Sequence, residues 1–126
     1  MDPDRQNIDV THQERVAVVS FRNDLDLTDE AEAALALNTA RTDTSSVGTV
    51  VDLADLDFAD SSLLNLILRE HAAHQSVLRP FVLAGPYHSG IQRLLEITGV
   101  NDVLVLTGTR SDGIRHVHEL RGRSTA

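Results

Sequence analysis

An α/β fold with a mixed, mostly parallel five-stranded sheet and about four helices is predicted by three observations. Runs such as Val16-Ala17-Val18-Val19, Val50-Val51-Asp52-Leu53 and Phe81-Val82-Leu83-Ala84 have strand length and β-branched or apolar composition. Segments with helical spacing of apolar residues lie between them. Strand and helix then alternate four times, the pattern of βαβ units. At 126 residues, 41% of them hydrophobic, the chain suits one domain whose core needs no disulfide or metal staple.

The elements follow in order. Residues 8–11 and 15–21 read as strands joined by a hairpin at His12-Gln13-Glu14. Thr28, followed by Asp29 and Glu30, reads as a helix start, because a hydroxyl caps free amides and acidic residues suit the positive end of the helix dipole. That helix runs through Ala31, Leu35 and Ala40 into the polar loop Thr42-Asp43-Thr44-Ser45-Ser46. Residues 48–53 form a third strand, apolar enough to be central. A second helix begins at Asp60-Ser61-Ser62 and continues to Gln75; residues 80–85 form strand four, and Gly85-Pro86 turns the chain. Helix three covers 91–98 and stops at Gly99, strand five covers 103–106, and a last helix at 112–120 turns Ile114, Val117 and Leu120 inward. The domain is expected to span 7–121, with flexible ends at 1–6 and 122–126.

Composition removes several functions. There is no cysteine, which excludes disulfides, thiolate catalysis and cysteine metal sites. All 11 basic residues are arginine, so chemistry that requires lysine, such as a Walker P-loop or a Schiff base, cannot operate. A net charge of -8 argues against nucleic acid or an anionic membrane as partner, since both reward clustered positive charge. No stretch approaches the roughly 20 apolar residues of a membrane span, and a cytoplasmic location is expected. No cofactor is implied.

The second helix carries the leading candidate site. Projected at about 100° per residue, Leu64, Ile67, Leu68, His71 and Ala72 share one arc that should face the sheet. Ser61 lies at the edge of that arc. Ser62, Asn65, Leu66 and Arg69 fall on the other side, which makes Ser62 the reachable hydroxyl and leaves Leu66 apolar in an exposed place. With Asp60 as N-cap, a phosphate on Ser62 would sit where free amides and the helix dipole tolerate it. The plain alternative is that Asp60, Ser61 and Ser62 simply start a helix.

Other constellations are weaker. Asp24, Asp26, Asp52, Asp55, Asp57 and Asp60 suggest a magnesium site or a phosphoaspartate at Asp52, but the lysine such chemistry uses is missing. His71 and His74, like His116 and His118, lack a third ligand at supporting spacing and read as surface or half-buried side chains, so no metal is expected. Catalysis by Ser62 as nucleophile would want flanking glycines in a G-x-S-x-G elbow, which are absent.

Taken in sequence order, several landmarks resemble the STAS-domain family of bacterial anti-sigma factor antagonists over nearly the full chain. They are Val16-Ala17-Val18-Val19, the turn Asn23-Asp24-Leu25-Asp26, Val50-Val51-Asp52-Leu53 leading to Phe58-Ala59-Asp60-Ser61-Ser62, and Leu83-Ala84-Gly85 ahead of Ile91-Gln92-Arg93-Leu94-Leu95. The resemblance implies a binder and kinase substrate, not an enzyme. Without phosphate it would bind an anti-sigma factor, a serine kinase of GHKL type, and free a sigma factor. Phosphorylation at Ser62, with Ser61 the second choice, would switch it off, and a PP2C-type phosphatase would be a further partner. The partner face would comprise Asp24, Asp26, Asp60, Ser61, Ser62, Leu63, Asn65, Leu66 and Arg69. Two positions depart from the family pattern, Leu63 and Asn23, each in place of glycine; Asn tolerates positive φ better than most residues. Leu63 and Leu66 are expected at the apolar centre of the partner surface, with core packing the alternative for Leu63. A second reading is a STAS scaffold that is never phosphorylated, or a subunit of a larger regulatory or transport assembly.

Overall fold

A computed structural model describes residues 7–124. Its centre is a five-stranded sheet of order β1-β2-β4-β6-β7, formed by β1 (Ile8–Gln13), β2 (Val16–Phe21), β4 (Thr49–Asp52), β6 (Phe81–Ala84) and β7 (Val105–Thr107). β1 and β2 form the antiparallel hairpin, and every other pairing in this sheet is parallel. These are the five strands expected from the sequence, in a mixed, mostly parallel sheet.

The alternation within β2 explains the layers. Ala17, Val19 and Phe21 join the core beneath α1 (Glu30–Thr42), α2 (Ser61–Ser76) and α3 (Ser89–Thr98). Val16 and Val18 point to the other face, where Ile114 and Val117 of α4 (Arg110–Ser124) cover them together with Val50 and Val82. Both faces of the central strands are therefore buried, which is why those strands read as continuous apolar runs. Gly113 lets α4 approach closely: a Cβ there would lie 3.2 Å from Val50 Cγ1. Gly99, at φ 72°, ends α3 in the left-handed conformation that glycine adopts without penalty.

Three features differ from expectation. A second, two-stranded parallel sheet joins β3 (Asn23–Leu25) to β5 (Leu56–Ala59), where the sequence suggested a turn and a lead-in to helix two. Each strand is short and aspartate-containing, so it has little strand preference of its own and exists through its neighbour. Strand five is shifted to 105–107, behind a 3-10 turn at Val100–Asp102. The last helix runs on from Leu120 to Ser124, so 122–124 are helical; residues 1–6 and 125–126, also expected to be flexible, lie outside the described residues.

Candidate functional site

The small sheet positions the site. Leu25 pairs with Ala59, so the residues that follow, Asp26 and Asp60, lie side by side at the ends of parallel strands. Each caps the helical turn after it. Asp26 Oδ1 accepts hydrogen bonds from the Thr28 amide at 2.9 Å and the Thr28 hydroxyl at 2.6 Å, and the Asp29 carboxylate reaches back to the Asp26 amide at 3.0 Å. Asp60 Oδ1 accepts from the Ser62 amide at 3.1 Å, the Leu63 amide at 3.4 Å and the Ser62 hydroxyl at 2.5 Å. The helix start thus falls at Asp60-Ser61-Ser62, where an N-cap carboxylate satisfies the free amides of the first turn.

The two capping carboxylates make the tip of this edge negative. The Thr28 hydroxyl and amide hold the Asp26 carboxyl below the usual carboxylate range, and the charge of Asp60 opposes them. The Ser62 hydroxyl does the same for Asp60, with the Leu63 and Ser62 amides assisting. Both carboxylates are therefore ionised at neutral pH, and they reinforce each other's field across the two turns. Asn23, which opens the first turn, adopts φ 61°, and its side-chain amide donates to Asn7 Oδ1 at 2.8 Å. Asparagine fills a position of positive φ here, where glycine would be the unstrained choice.

Asp24, Asp26, Asp60, Ser61 and Ser62 come together at this edge, and Asn65 and Arg69 continue it along the exposed side of α2. Arg69 pairs with Glu30 of α1 at 3.1 Å. Leu63 and Leu66 do not belong to the surface. Each is only 4% exposed and joins the main core, which corrects the expectation of an apolar partner surface at these residues. The two serines are also reversed: Ser61 is exposed and Ser62 half-buried, while Ala72, expected inward, is exposed. The reason lies in the neighbours of α2. The helix wheel assumed burial against the sheet alone, whereas α2 is wedged between α1, which it meets through Arg69–Glu30 and Arg41–Glu70, and α3, whose Ile91 and Leu95 share a small void with Leu63, Leu64 and Ile67. Leu66 lies on the α1 side with Arg69 and Glu70, so flanking helices widen the buried arc.

Two surface residues at the site escape sequence reasoning. Leu27, between the capping Asp26 and Thr28, is 66% exposed, and Phe58 is 55% exposed. A signal for Leu27 existed, since an apolar residue inside a two-residue cap turn has no face to bury. None existed for Phe58: alternation from the buried Leu56 points it inward, but the β3–β5 register shifts between Asn23 and Asp24 and turns it out.

The other end of α2 holds a buried network. His74 is fully buried, corrected from a surface or half-buried position, and its ring lies 4.6 Å from that of Phe81. Its Nδ1 is 2.8 Å from the Glu70 carbonyl and must donate there, so Nε2 accepts from the Thr49 hydroxyl at 2.9 Å. Burial pushes the His74 pKa down to about 4. Among the described residues no group of three or more histidine, aspartate or glutamate side chains is arranged to hold a metal, and no helix is long and apolar enough to cross a membrane. Asp52, the other candidate phosphate acceptor, is engaged by Arg110 Nε at 2.8 Å and by the Ala54 amide.

The fold is that of the STAS and anti-sigma factor antagonist structures to which the chain is similar. No family model matches the chain, and no curated protein matches it in sequence. Solved structures do match. An anti-sigma factor antagonist from Mycobacterium paratuberculosis is 22% identical, with a TM-score of 0.76 over 93% of this chain and 97% of that one. An anti-sigma-factor antagonist (STAS) domain protein from Planctomyces limnophilus is 22% identical, with a TM-score of 0.75 over 87% and 96%. The anti-sigma factor antagonist SpoIIAA in its unphosphorylated form is 17% identical, with a TM-score of 0.75 over 89% and 96%. SpoIIAA, a Bacillus cell fate determinant, has also been solved in a phosphorylated form, with a TM-score of 0.67 to this chain. At these identities the likeness is one of fold.

Proposed function

We propose that this protein is an anti-sigma factor antagonist controlled by phosphorylation of Ser62. In the unphosphorylated form Asp24, Asp26, Asp60, Ser61, Ser62, Asn65 and Arg69 bind an anti-sigma factor, a cytoplasmic serine kinase of GHKL type, and a sigma factor is released. The observation that carries this reading is the Ser62 hydroxyl, held by Asp60 in the first turn of α2 beside the Asp26 turn. The solved phosphorylated and unphosphorylated forms of the fold neighbour SpoIIAA lend it support. A phosphate there adds a charge of about -1.5 to -2 next to two ionised carboxylates, enough to break a packed interface by repulsion and desolvation. A PP2C-type phosphatase would restore binding. Co-purification of the unmodified chain with a kinase, lost in Ser62→Asp and kept in Ser62→Ala, is the expected result; equal binding by both variants would contradict the switch.

One observation favours a second reading, a scaffold that is never phosphorylated. Ser62 is half-buried with its hydroxyl already engaged, and Leu63, standing where the family pattern has glycine, is locked in the core. On that reading Ser62→Asp retains its partner, and Leu27→Asp loses it.

A further inference from the structure

Beside the Ser62 face runs an open groove between β5 and α3. It encloses about 290 Å³. Ala59, Ile91 and Leu94 line its depth, and Phe58 and Ile97, 55% and 76% exposed, stand at its sides. Two large exposed apolar side chains on one hollow differ from the isolated apolar residues that every surface carries.

Charge identifies the occupant. Asp57 lines the groove on the β5 side, and Asp24 stands next to Phe58 in the β3–β5 register. Asp26 and Asp60 follow at the ends of the same strands. Among the described residues none of these four carboxylates forms an ion pair. Asp57 and Arg93 are the charged residues lining the groove, and Asp24, Asp26 and Asp60 beside it give its β5 side the acidic excess. We propose that this groove docks an amphipathic helix of a partner protein, with its apolar stripe between Phe58 and Ile97 and its flanking arginines or lysines against Asp24, Asp57 and Asp60. A second copy of this chain is a poor occupant, because a net charge of -8 on each copy opposes self-association. Ser62 does not line the groove, and the docking extends the proposed partner face, with which it shares Asp24 and Asp60, onto β5 and α3.

The test titrates the isotopically labelled full chain with a synthetic leucine-striped helix of about 16 residues flanked by arginines, and with its twin carrying glutamates instead. The arginine helix should move the amide signals of Phe58, Ala59, Gly90 and Ile97, and the glutamate helix should leave them unmoved. Phe58→Asp, at an exposed position that the fold tolerates, should weaken binding at least about tenfold. Asp57→Arg should weaken it about threefold and Arg93→Glu should tighten it. Equal binding of both helices, signal changes confined to other surfaces, or an unaltered affinity in Phe58→Asp would overturn the proposal. Intact helix binding in a chain that no kinase modifies would overturn the Ser62 reading alone.

Discussion

The two ends of α2 carry similar polar residues and use them in opposite ways. At the C-terminal end Glu70, His71 and His74 are buried, and Arg79, just beyond, is clamped by the carbonyls of Asp43 and Ser46 and by the Ser46 hydroxyl. At the N-terminal end Asp60 and Ser62 are held by bonds within their own turn and by the Leu27 backbone against Asp60, and with the exposed Ser61 they sit at an acidic edge. A helix anchored at one end by side chains that cannot move holds the other end in place without burying it. The hydroxyl end can then change its charge while the core remains intact, which is what a surface switch requires.

Breaking the anchored end should produce the largest effect. His74→Ala removes a buried ring that contacts Phe81 and strands the Thr49 hydroxyl, and denaturant unfolding should register a loss of about 3 kcal/mol. Acid attacks the same residue. His74 in the unfolded chain takes a proton near its ordinary value of 6.5, whereas in the folded protein it resists protonation down to about 4. The unfolded state therefore binds more protons in that window. Stability should be unaffected by this group above pH 6.5 and fall by roughly 3 kcal/mol as the pH drops to 4, a slope that His74→Gln should flatten.

The exposed end should be far more tolerant. Asp60→Ala removes the N-cap of α2 and should cost about 1 kcal/mol in the same unfolding experiment, with Asp60→Asn recovering most of it. Ser61→Ala, at an exposed residue outside the cap bonds, should stay within about 0.5 kcal/mol of the parent. A Ser61→Ala loss as large as that of His74→Ala would erase the contrast between the two ends.

Much of this architecture was legible in the sequence. The strands β2, β4 and β6 announced themselves as β-branched or apolar runs because both of their faces are buried, and Gly99 marked the end of α3 as expected. The short pair β3 and β5 was not legible, because strands of three and four residues containing aspartates acquire their conformation only from each other. At the site, the Asp60 cap was readable from residue type; the first helical turn was expected to start at Thr28, but its cap is Asp26, to which the Thr28 hydroxyl donates. The burial of Leu63 and Leu66 was not, since a helix wheel does not know that α1 and α3 flank α2. Phe58 was hidden by a register shift, and its exposure follows from the paired strands rather than from its own neighbours in sequence.

The central claim is that Ser62 at the free end of α2 is the point of control. Its most direct test is tandem mass spectrometry of the chain after incubation with ATP and a serine kinase that co-purifies with it, read alongside the affinity of the product for that kinase. The account predicts one phosphate, on Ser62, with binding reduced at least about tenfold. Phosphate on another residue, or a phosphorylated Ser62 that leaves binding unchanged, would contradict it.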